Sequence, residues 1–184
     1  MSSVWFRILS FYKMTKKIQI ISAVVFILFL FSCDSLTASE KAQNRRFAQE
    51  NVFYEIHKFV DGDTFWITDG KGNKEKVRFI GIDAPEPRNY GKKKEQPFGK
   101  ESSAFVKGYL SGKKVRLEFD IQKYDKYQRT LAYIFMEDGT LLNDYIVRNG
   151  FAVISTFPPN VKFQNRFLKS ERFAREKKLG MWRE

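Results

Sequence analysis

Acidic side chains recur in two short segments of this chain, at spacings that suit the binding of a cation. Asp61 and Asp63 flank a glycine, and Asp83 and Glu86 follow directly after an apolar run. Each segment also has an ordinary structural interpretation. The first is typical of a turn, because Asp caps its own backbone. The second is typical of a strand that ends in an exposed turn containing proline.

Two arginines accompany these carboxylates. Arg78 lies inside the apolar run, an unusual place for an unpaired guanidinium, and Arg129 ends the polar segment Tyr124–Arg129. A salt bridge on the wet face of a strand would explain the first arginine, and a polar hairpin loop would explain the second. Neither arginine indicates a function by itself.

Taken together, these residues supply what the hydrolysis of a phosphodiester requires. A phosphodiester is anionic and resists attack by hydroxide, so a cation must offset the charge that grows on the phosphoryl oxygens. Arginine stays charged, and its planar fork donates two hydrogen bonds to one phosphate. A carboxylate can accept the proton of the attacking water. Two Asp for a metal ion, two Arg for phosphate and a Glu for water complete the set without histidine.

Composition limits the kind of metal site and the kind of partner. The chain has one cysteine, Cys33, and one histidine, His57, so no site can use two or more His or Cys side chains. A metal ion must then be held by oxygen, which favours a hard cation such as calcium. The net charge of +12 attracts polyanions such as nucleic acid, anionic lipid or acidic polysaccharide, and composition does not choose among them.

Residues 1–33 form a separate basic and apolar segment. They contain four Lys and Arg and no acidic residue, so the net charge falls from +12 to +8 without them. The apolar run Ile18–Phe31 ends just before Cys33. This order is typical of a secretory signal, because the run is shorter than the roughly 20 residues of a membrane span. The alternative is an uncleaved signal anchor with a buried, inert cysteine.

The end of this segment, Leu30-Phe31-Ser32-Cys33, resembles the lipobox of bacterial lipoproteins. The resemblance implies that the Cys33 thiol is acylated and becomes the mature N-terminus. We therefore expect an exported protein, either a membrane-anchored lipoprotein of the cell envelope or a secreted protein. Residues 34–50 are polar without lasting periodicity. They predict a flexible tether, or a short frayed helix, ahead of a domain over residues 51–184.

Five strands and three helices are predicted in that domain. β-branched and aromatic residues predict strands over Val52–Val60, Thr64–Thr68, Glu75–Ile82, Val115–Phe119 and Thr130–Phe135. Helical spacing of apolar residues predicts helices over Gly99–Leu110, Leu141–Arg148 and Asn165–Lys178. Five short strands with few helices favour an α+β fold around a small closed sheet. The OB barrel is the commonest such sheet that binds nucleic acid.

Four ordered motifs in the domain resemble those of the staphylococcal nuclease family, over about Val52–Trp182. Several motifs at matching spacing are a specific signal. The motifs are Asp61-Gly-Asp-Thr64, Arg78-Phe-Ile-Gly-Ile-Asp-Ala-Pro-Glu86, Asp125-Lys-Tyr-Gln-Arg-Thr-Leu-Ala-Tyr133 and Lys177-Lys-Leu-Gly-Met-Trp182. The resemblance implies a five-stranded OB-fold β-barrel with three α-helices, in a member of lipoprotein type.

The resemblance also implies roles for single residues. Calcium (Ca2+) would be bound by Asp63, Asp83 and the backbone carbonyl of Ala84. The scissile phosphate would be clamped by Arg78 and Arg129, and Glu86 would activate or orient water. The nucleotide would be touched by Lys126 and Tyr127. Members of the family cleave both DNA and RNA and leave 3′-phosphates.

This chain departs from the family pattern at four positions. Ala84 stands where the best-known member has threonine, which a backbone ligand tolerates. Gln128 replaces a glycine, so we expect the loop before Arg129 to lie differently. Ser155 and Phe157 stand where that member has tyrosines near the bound base. These last two changes affect nucleotide affinity and base preference rather than the chemistry.

Two other functions are compatible with the sequence. OB folds also hold single strands without cutting them, so one alternative is a non-catalytic surface lipoprotein that binds nucleic acid. The other is a surface lipoprotein with an adhesive or structural task. The presence of all five predicted groups favours the enzyme, with DNA and RNA as substrates and the membrane as a partner through Cys33. No protein partner is implied, and we expect a monomer.

Overall fold

A computed structural model describes residues 52–69 and 71–183 of the chain. The predicted signal segment 1–33, the lipidation site Cys33 and the tether 34–50 lie outside the described residues. Within the described ranges, no helix is both long enough and apolar enough to cross a membrane. These residues belong to one compact unit, Phe47–Glu184.

Seven strands and three α-helices make up the described domain. In chain order they are β1 (Phe53–Phe59), β2 (Thr64–Thr68), β3 (Lys74–Phe79), β4 (Gly81–Asp83), α1 (Gly99–Leu110), β5 (Lys114–Glu118), β6 (Thr130–Met136), α2 (Leu142–Arg148), β7 (Val153–Ser155) and α3 (Gln164–Glu176), followed by a short 3₁₀-helix (Gly180–Trp182). The helix predicted over Gly99–Leu110 is confirmed at both ends, and the other two differ by one or two residues.

Five of the strands close into a barrel in the order β1-β2-β3-β6-β5. Four of the five neighbouring pairs are antiparallel, and β3 and β6 are parallel. The predicted α+β fold, a five-stranded OB-type barrel with three helices, is confirmed. The barrel is filled by alternate strand residues, as the edge-to-face packing of Phe65 and Phe79 at 5.2 Å illustrates.

The predicted third strand, Glu75–Ile82, is wrong as a single element. The chain leaves the barrel after Phe79, because Gly81 adopts a positive φ of 79° that residues with a Cβ rarely adopt. Strand β4 then pairs antiparallel with β7 in a separate two-stranded sheet. The local pattern stays apolar through this bend, so periodicity gave no sign of it. The bend carries Asp83 away from the barrel wall.

A buried amide from helix α2 fixes the bend. The Asn143 side chain donates a hydrogen bond to the Ile80 carbonyl at 2.9 Å and accepts one from the Ile134 N–H at 2.8 Å. Because Asn143 is fully buried, losing either bond would leave a costly unsatisfied group. The Asn143 side chain therefore links the backbone at the bend, just before β4, to strand β6 of the barrel.

Candidate active site

The turn between β1 and β2 contains a buried carboxylate, that of Asp63, in addition to a capping residue. Asp61 does the capping, since its Oδ1 accepts the N–H of Asp63 at 3.1 Å. The carboxylate of Asp63 accepts the Thr64 hydroxyl at 2.9 Å and the Ala84 N–H at 2.8 Å. A Cβ at Gly62 would lie 2.7 Å from that of Ala84, so only glycine allows this close approach. Asp63 is thereby joined to the end of β4.

Arg78 lies between two carboxylates. In the β2–β3 register it is the partner of Thr64, beside Asp63, and one guanidinium nitrogen forms an ion pair with the Asp63 carboxylate. The other nitrogen is 2.6 Å from Asp83 Oδ1 and donates to the Ile82 carbonyl at 3.1 Å. Only 5 % of the Asp63 side chain is exposed. Two carboxylates from separate motifs thus converge on one cation.

The charge of Arg78 survives its burial. Burial lowers the pKa of this guanidinium, while the Asp83 carboxylate raises it and the charge of Arg129 lowers it. An arginine is not deprotonated in proteins, so the group stays cationic. The influence of Arg129 on this pKa also means that the two guanidiniums lie within electrostatic reach of each other.

Arg129 is held by the loop that precedes β6. Its Nε lies 2.7 Å from Asp125 Oδ2, and Asp125 Oδ1 accepts the N–H groups of Tyr127 at 2.8 Å and Arg129 at 3.0 Å. Burial raises the pKa of the Asp125 carboxyl, but these hydrogen bonds outweigh burial and leave its pKa below the usual value. Sequence analysis placed Asp125 in a motif without a role. Its role here is to orient Arg129.

Gln128 adopts a backbone conformation that favours glycine. Its φ is +59°, in the left-handed region, and its N–H donates to the Asp125 carbonyl at 3.0 Å. The turn is therefore closed by hydrogen bonds in spite of the added side chain. The positive φ at a residue with a side chain costs backbone strain at this position, and the expectation of a different course of the loop stays a prediction.

Glu86 stands at the base of the loop 86–98, which ends at helix α1. Its N–H donates to the Gln96 side-chain oxygen and its carbonyl accepts the Gln96 N–H, both at 2.9 Å. Its carboxylate forms an ion pair with Lys93. Sequence analysis missed both Lys93 and Gln96 as partners of Glu86. The lysine run in this loop was visible, but nothing local indicated that one lysine turns back onto the carboxylate.

Two pockets meet at Arg129. The first, here named the loop-side pocket, has a volume of about 300 Å³; its lining includes Thr64, Lys76, Glu86, Arg88, Tyr90, Lys93, Tyr127 and Arg129. The second, the turn-side pocket, has about 280 Å³; its lining includes Arg78, Asp125, Arg129, Leu131, Ser155, Phe157 and the cis-linked pair Pro158–Pro159. Ser155 and Phe157, which stand where the best-known family member has tyrosines, thus line the turn-side pocket.

The two residues predicted to contact the nucleotide, Tyr127 and Lys126, lie in different surroundings. Tyr127 lines the loop-side pocket, and its ring lies 5.5 Å from the Arg129 guanidinium. Lys126 lines neither pocket and is exposed, with its Nζ 5.1 Å from the Tyr127 ring. The structure therefore brings Tyr127 to the Arg129 guanidinium and leaves Lys126 outside both pockets.

Comparison with known proteins shows the family to which this chain belongs. A family described as staphylococcal nuclease homologue matches residues 76–184. The chain is also 33 % identical over 171 residues to the thermonuclease of Staphylococcus hyicus, covering 92 % of this chain and 98 % of that protein. The chain belongs to the staphylococcal nuclease family.

Other relatives of this nuclease family agree. The chain is 38 % identical over 129 residues to the thermonuclease of Staphylococcus intermedius, covering 70 % of this chain and 75 % of that protein. It is 35 % identical over 136 residues to an SPbeta prophage-derived endonuclease of Bacillus subtilis, covering 73 % of this chain and 45 % of that protein. These relatives support a nuclease, and with it a phosphodiester hydrolase that acts on nucleic acid.

The carboxylates of this nuclease-family site fit a hard cation. Asp63 and Asp83 already converge on one positive group, the Arg78 guanidinium, and carboxylate oxygen is what calcium prefers. Among residues 52–69 and 71–183, no three His, Cys, Asp or Glu side chains are grouped closely enough to hold a metal ion. Two carboxylates would therefore need carbonyl oxygen and water to complete a calcium shell.

Proposed function

We propose that this chain is a calcium-dependent nuclease that hydrolyses phosphodiesters in DNA and RNA and leaves 3′-phosphates. The observation that supports the proposal most is the convergence of Asp63, Asp83 and Arg78, with Arg129 lining the same pocket as Arg78. A binding module needs basic residues, but it does not need two carboxylates beside the cations that would receive phosphate.

The two guanidiniums bind the scissile phosphate and stabilise its growing negative charge. Arg129 lines both pockets and Arg78 lines the turn-side pocket, so a phosphate between them has donors from two directions. Donors that are oriented before the reaction act without reorganisation cost, and one such donor typically contributes about 10²–10³ in rate. Asp125 keeps Arg129 oriented for this task.

Glu86 orients the attacking water and accepts its proton. The carboxylate lines the same pocket as Arg129, which is the arrangement that general-base catalysis needs. Its backbone is fixed by Gln96 and its side chain by Lys93. These contacts hold the carboxylate in one position, which a proton acceptor requires.

Calcium would be held by Asp63, Asp83 and the backbone carbonyl of Ala84. When bound, the ion supplies positive charge that polarises a phosphoryl oxygen and favours deprotonation of water. Asp63 suits this task because its position is fixed by the Ala84 N–H and the Thr64 hydroxyl. The oxygen-only donor set agrees with a chain that contains one histidine and one cysteine.

A cleavage assay tests this function. The full chain, purified in mild detergent, is incubated with denatured DNA or with RNA, in calcium or in chelator. We expect shortening of both substrates in calcium only, with product ends that a 3′-phosphatase modifies. Glu86→Gln lowers the rate by about 10²–10³, while the control Glu137→Gln, at an exposed carboxylate in the turn after β6, leaves it unchanged.

Two results would overturn the nuclease proposal. DNA that is retarded on a gel but never shortened identifies a binding module. Equal cleavage rates for Glu86→Gln and Glu137→Gln show that the carboxylate has no catalytic role. Cleavage that persists in chelator removes calcium from the proposal but leaves the nuclease.

Export and anchoring complete the proposal. The basic and apolar order of residues 1–33, with the single cysteine at its end, supports a secreted precursor whose Cys33 carries lipid. The tether 34–50 then holds a monomeric domain, residues 51–184, away from the membrane. Cells that express Cys33→Ser should release the protein from the membrane fraction. Retention of this variant in the membrane would indicate an uncleaved anchor instead.

A further inference from the structure

The loop-side pocket contains residues to which the proposed reaction assigns no role. It meets the turn-side pocket at Arg129, the one lining residue that the two share. A phosphodiester bound at Arg129 joins two nucleosides, one on each side of the phosphorus. The turn-side pocket, at about 280 Å³, accommodates one of them. The loop-side pocket is of similar size, about 300 Å³, and lies where the chain would continue.

The loop-side pocket carries cations that are not committed to other groups. Of its lysines and arginines outside the catalytic pair, Lys93 forms an ion pair with Glu86. Within the described ranges, neither Lys76 nor Arg88 forms an ion pair with a carboxylate. Arg88 makes a long hydrogen bond of 3.4 Å to the Val60 carbonyl. These two side chains are available to a phosphate.

Two aromatic rings complete the pocket. Tyr90 is 77 % exposed and Tyr127 is 68 % exposed, and both line the pocket. An exposed tyrosine ring offers a flat apolar face on which a nucleic-acid base stacks. The loop around Tyr90 is held in shape by paired backbone hydrogen bonds between Tyr90 and Lys93, both at 3.0 Å. The ring is thus presented by an ordered turn.

The turn-side pocket differs in character. Apart from the two catalytic arginines and Asp125, its lining named above is uncharged and largely apolar. It suits a single base and sugar. The loop-side pocket combines cations with exposed rings, which is the combination that proteins use to bind single-stranded nucleic acid along its backbone.

We propose that the loop-side pocket is a second nucleotide subsite, in which Tyr90 stacks on a base and Arg88 with Lys76 binds the next phosphate along the strand. The inference rests on the proposed nuclease function and deepens it. It names the residues that would bind the nucleotide on the second side of the scissile phosphate.

A binding measurement tests the subsite without depending on cleavage. A fluorescent single-stranded 12-mer is titrated with the full chain in detergent and chelator, and anisotropy gives Kd. The variant Arg88→Ala with Tyr90→Ala should weaken binding about 10-fold, or about 1.4 kcal/mol. The control Lys107→Ala removes an exposed charge from α1, away from the lining of both pockets, and should leave Kd unchanged.

Salt dependence separates the two roles. Arg88→Ala should reduce the slope of log K against log salt by about 0.7, because one phosphate contact on a single strand is lost. Tyr90→Ala should weaken binding without changing that slope. A double variant that binds the 12-mer as tightly as the Lys107→Ala control would overturn the inference, once thermal unfolding confirms that all variants are folded.

Small substrates then distinguish this inference from the proposed function. Two isomeric thymidine p-nitrophenyl phosphodiesters, esterified at the 3′ or the 5′ oxygen, keep a nucleoside on one side of the phosphorus only. The kcat/KM of the double variant should fall about 10-fold on the 12-mer and on the isomer whose nucleoside occupies the loop-side pocket. Its kcat/KM on the other isomer should not change. Unchanged kcat/KM on all three substrates refutes the subsite but leaves the nuclease. A wild-type protein that cleaves none of them in calcium refutes the nuclease, while the binding result still decides the subsite.

Discussion

The site has a half built on strands and a half built on loops, and the two are stabilised differently. Asp63, Arg78 and Asp83 lie at the ends or on the walls of β2, β3 and β4, and the Arg78 guanidinium forms ion pairs with both carboxylates. Glu86 and Arg129 lie in loops, where each is held by local partners.

The comparison indicates that the strand half contributes to the stability of the fold, whereas the loop half contributes less. Asp63 is almost fully buried, and its partners include a backbone N–H from β4. Removing a charge there disturbs a buried pair, which is costly. In the loop half the Glu86 and Arg129 side chains are 19 % and 23 % exposed, more than Asp63 at 5 % and Arg78 at 15 %, although Asp83 is 54 % exposed. Changes there should affect catalysis and specificity more than stability.

The largest expected effect comes from replacing the two arginines in turn. Arg78→Ala and Arg129→Ala should each lower the rate of DNA cleavage by about 10²–10³. Arg78→Ala alone should also destabilise the fold in chelator by about 3–5 kcal/mol, because it leaves the buried Asp63 charge unpaired. Cleavage assays and thermal unfolding measure the two effects. Equal losses of stability in both variants would show that the two halves do not differ.

A smaller effect is expected from the residue that orients Arg129. Asp125→Asn should reduce cleavage by about 10–100-fold through misplacement of the guanidinium and destabilise the fold by about 1 kcal/mol at pH 7. Rates on the 12-mer and chemical denaturation at pH 7 give both numbers. An unchanged rate would mean that Arg129 is oriented by other contacts.

The same variant has a pH signature. Hydrogen bonds lower the folded pKa of Asp125 below its unfolded value of about 3.9. Its contribution to stability is therefore complete above about pH 4 and is lost as the pH falls through the folded pKa. The difference in Tm between wild type and Asp125→Asn should shrink between pH 4 and pH 2.5. A difference that stays constant over that range would contradict the assignment.

The smallest effect concerns backbone strain in the loop half. Gln128→Gly should stabilise the protein by up to about 1 kcal/mol, because glycine adopts the observed φ of +59° at little cost. Gln128→Ala keeps the strain and serves as the control. Thermal unfolding checks both, and cleavage should not change. Equal Tm values for the two variants would mean that the loop relaxes to avoid the strain.

Much of the site could be predicted because its chemistry is local in sequence. The types of Asp63, Arg78 and Glu86 already specify what a phosphodiesterase site needs, and their motifs resemble those of a nuclease family. Asp61 caps the turn, as the turn interpretation predicts, while the Asp63 carboxylate bonds to the end of β4 and its metal-binding role stays a prediction. The Asp61-Gly-Asp63 motif therefore contains one residue that caps the turn and one that contacts β4.

Other features could not be predicted because they depend on distant contacts. The break at Gly81 follows from the pairing of β4 with β7, about 70 residues later in the chain. The contact of Lys93 with Glu86 depends on how one loop folds back. Lys93 belongs to a run of three lysines, residues 92–94. Nothing in the spacing of that run distinguishes Lys93 from its neighbours.

By itself, the sequence determined the side-chain chemistry, the bounds of helix α1 and the oxygen-only character of any metal site. These depend on residue type and on periodicity within a few turns or strands. Only the tertiary structure decided that Asp63 and Asp83 meet at Arg78, and that two pockets share Arg129. The physical reason is that strand register and barrel closure are set by hydrogen bonds between segments far apart in the chain, and no local pattern encodes those distances.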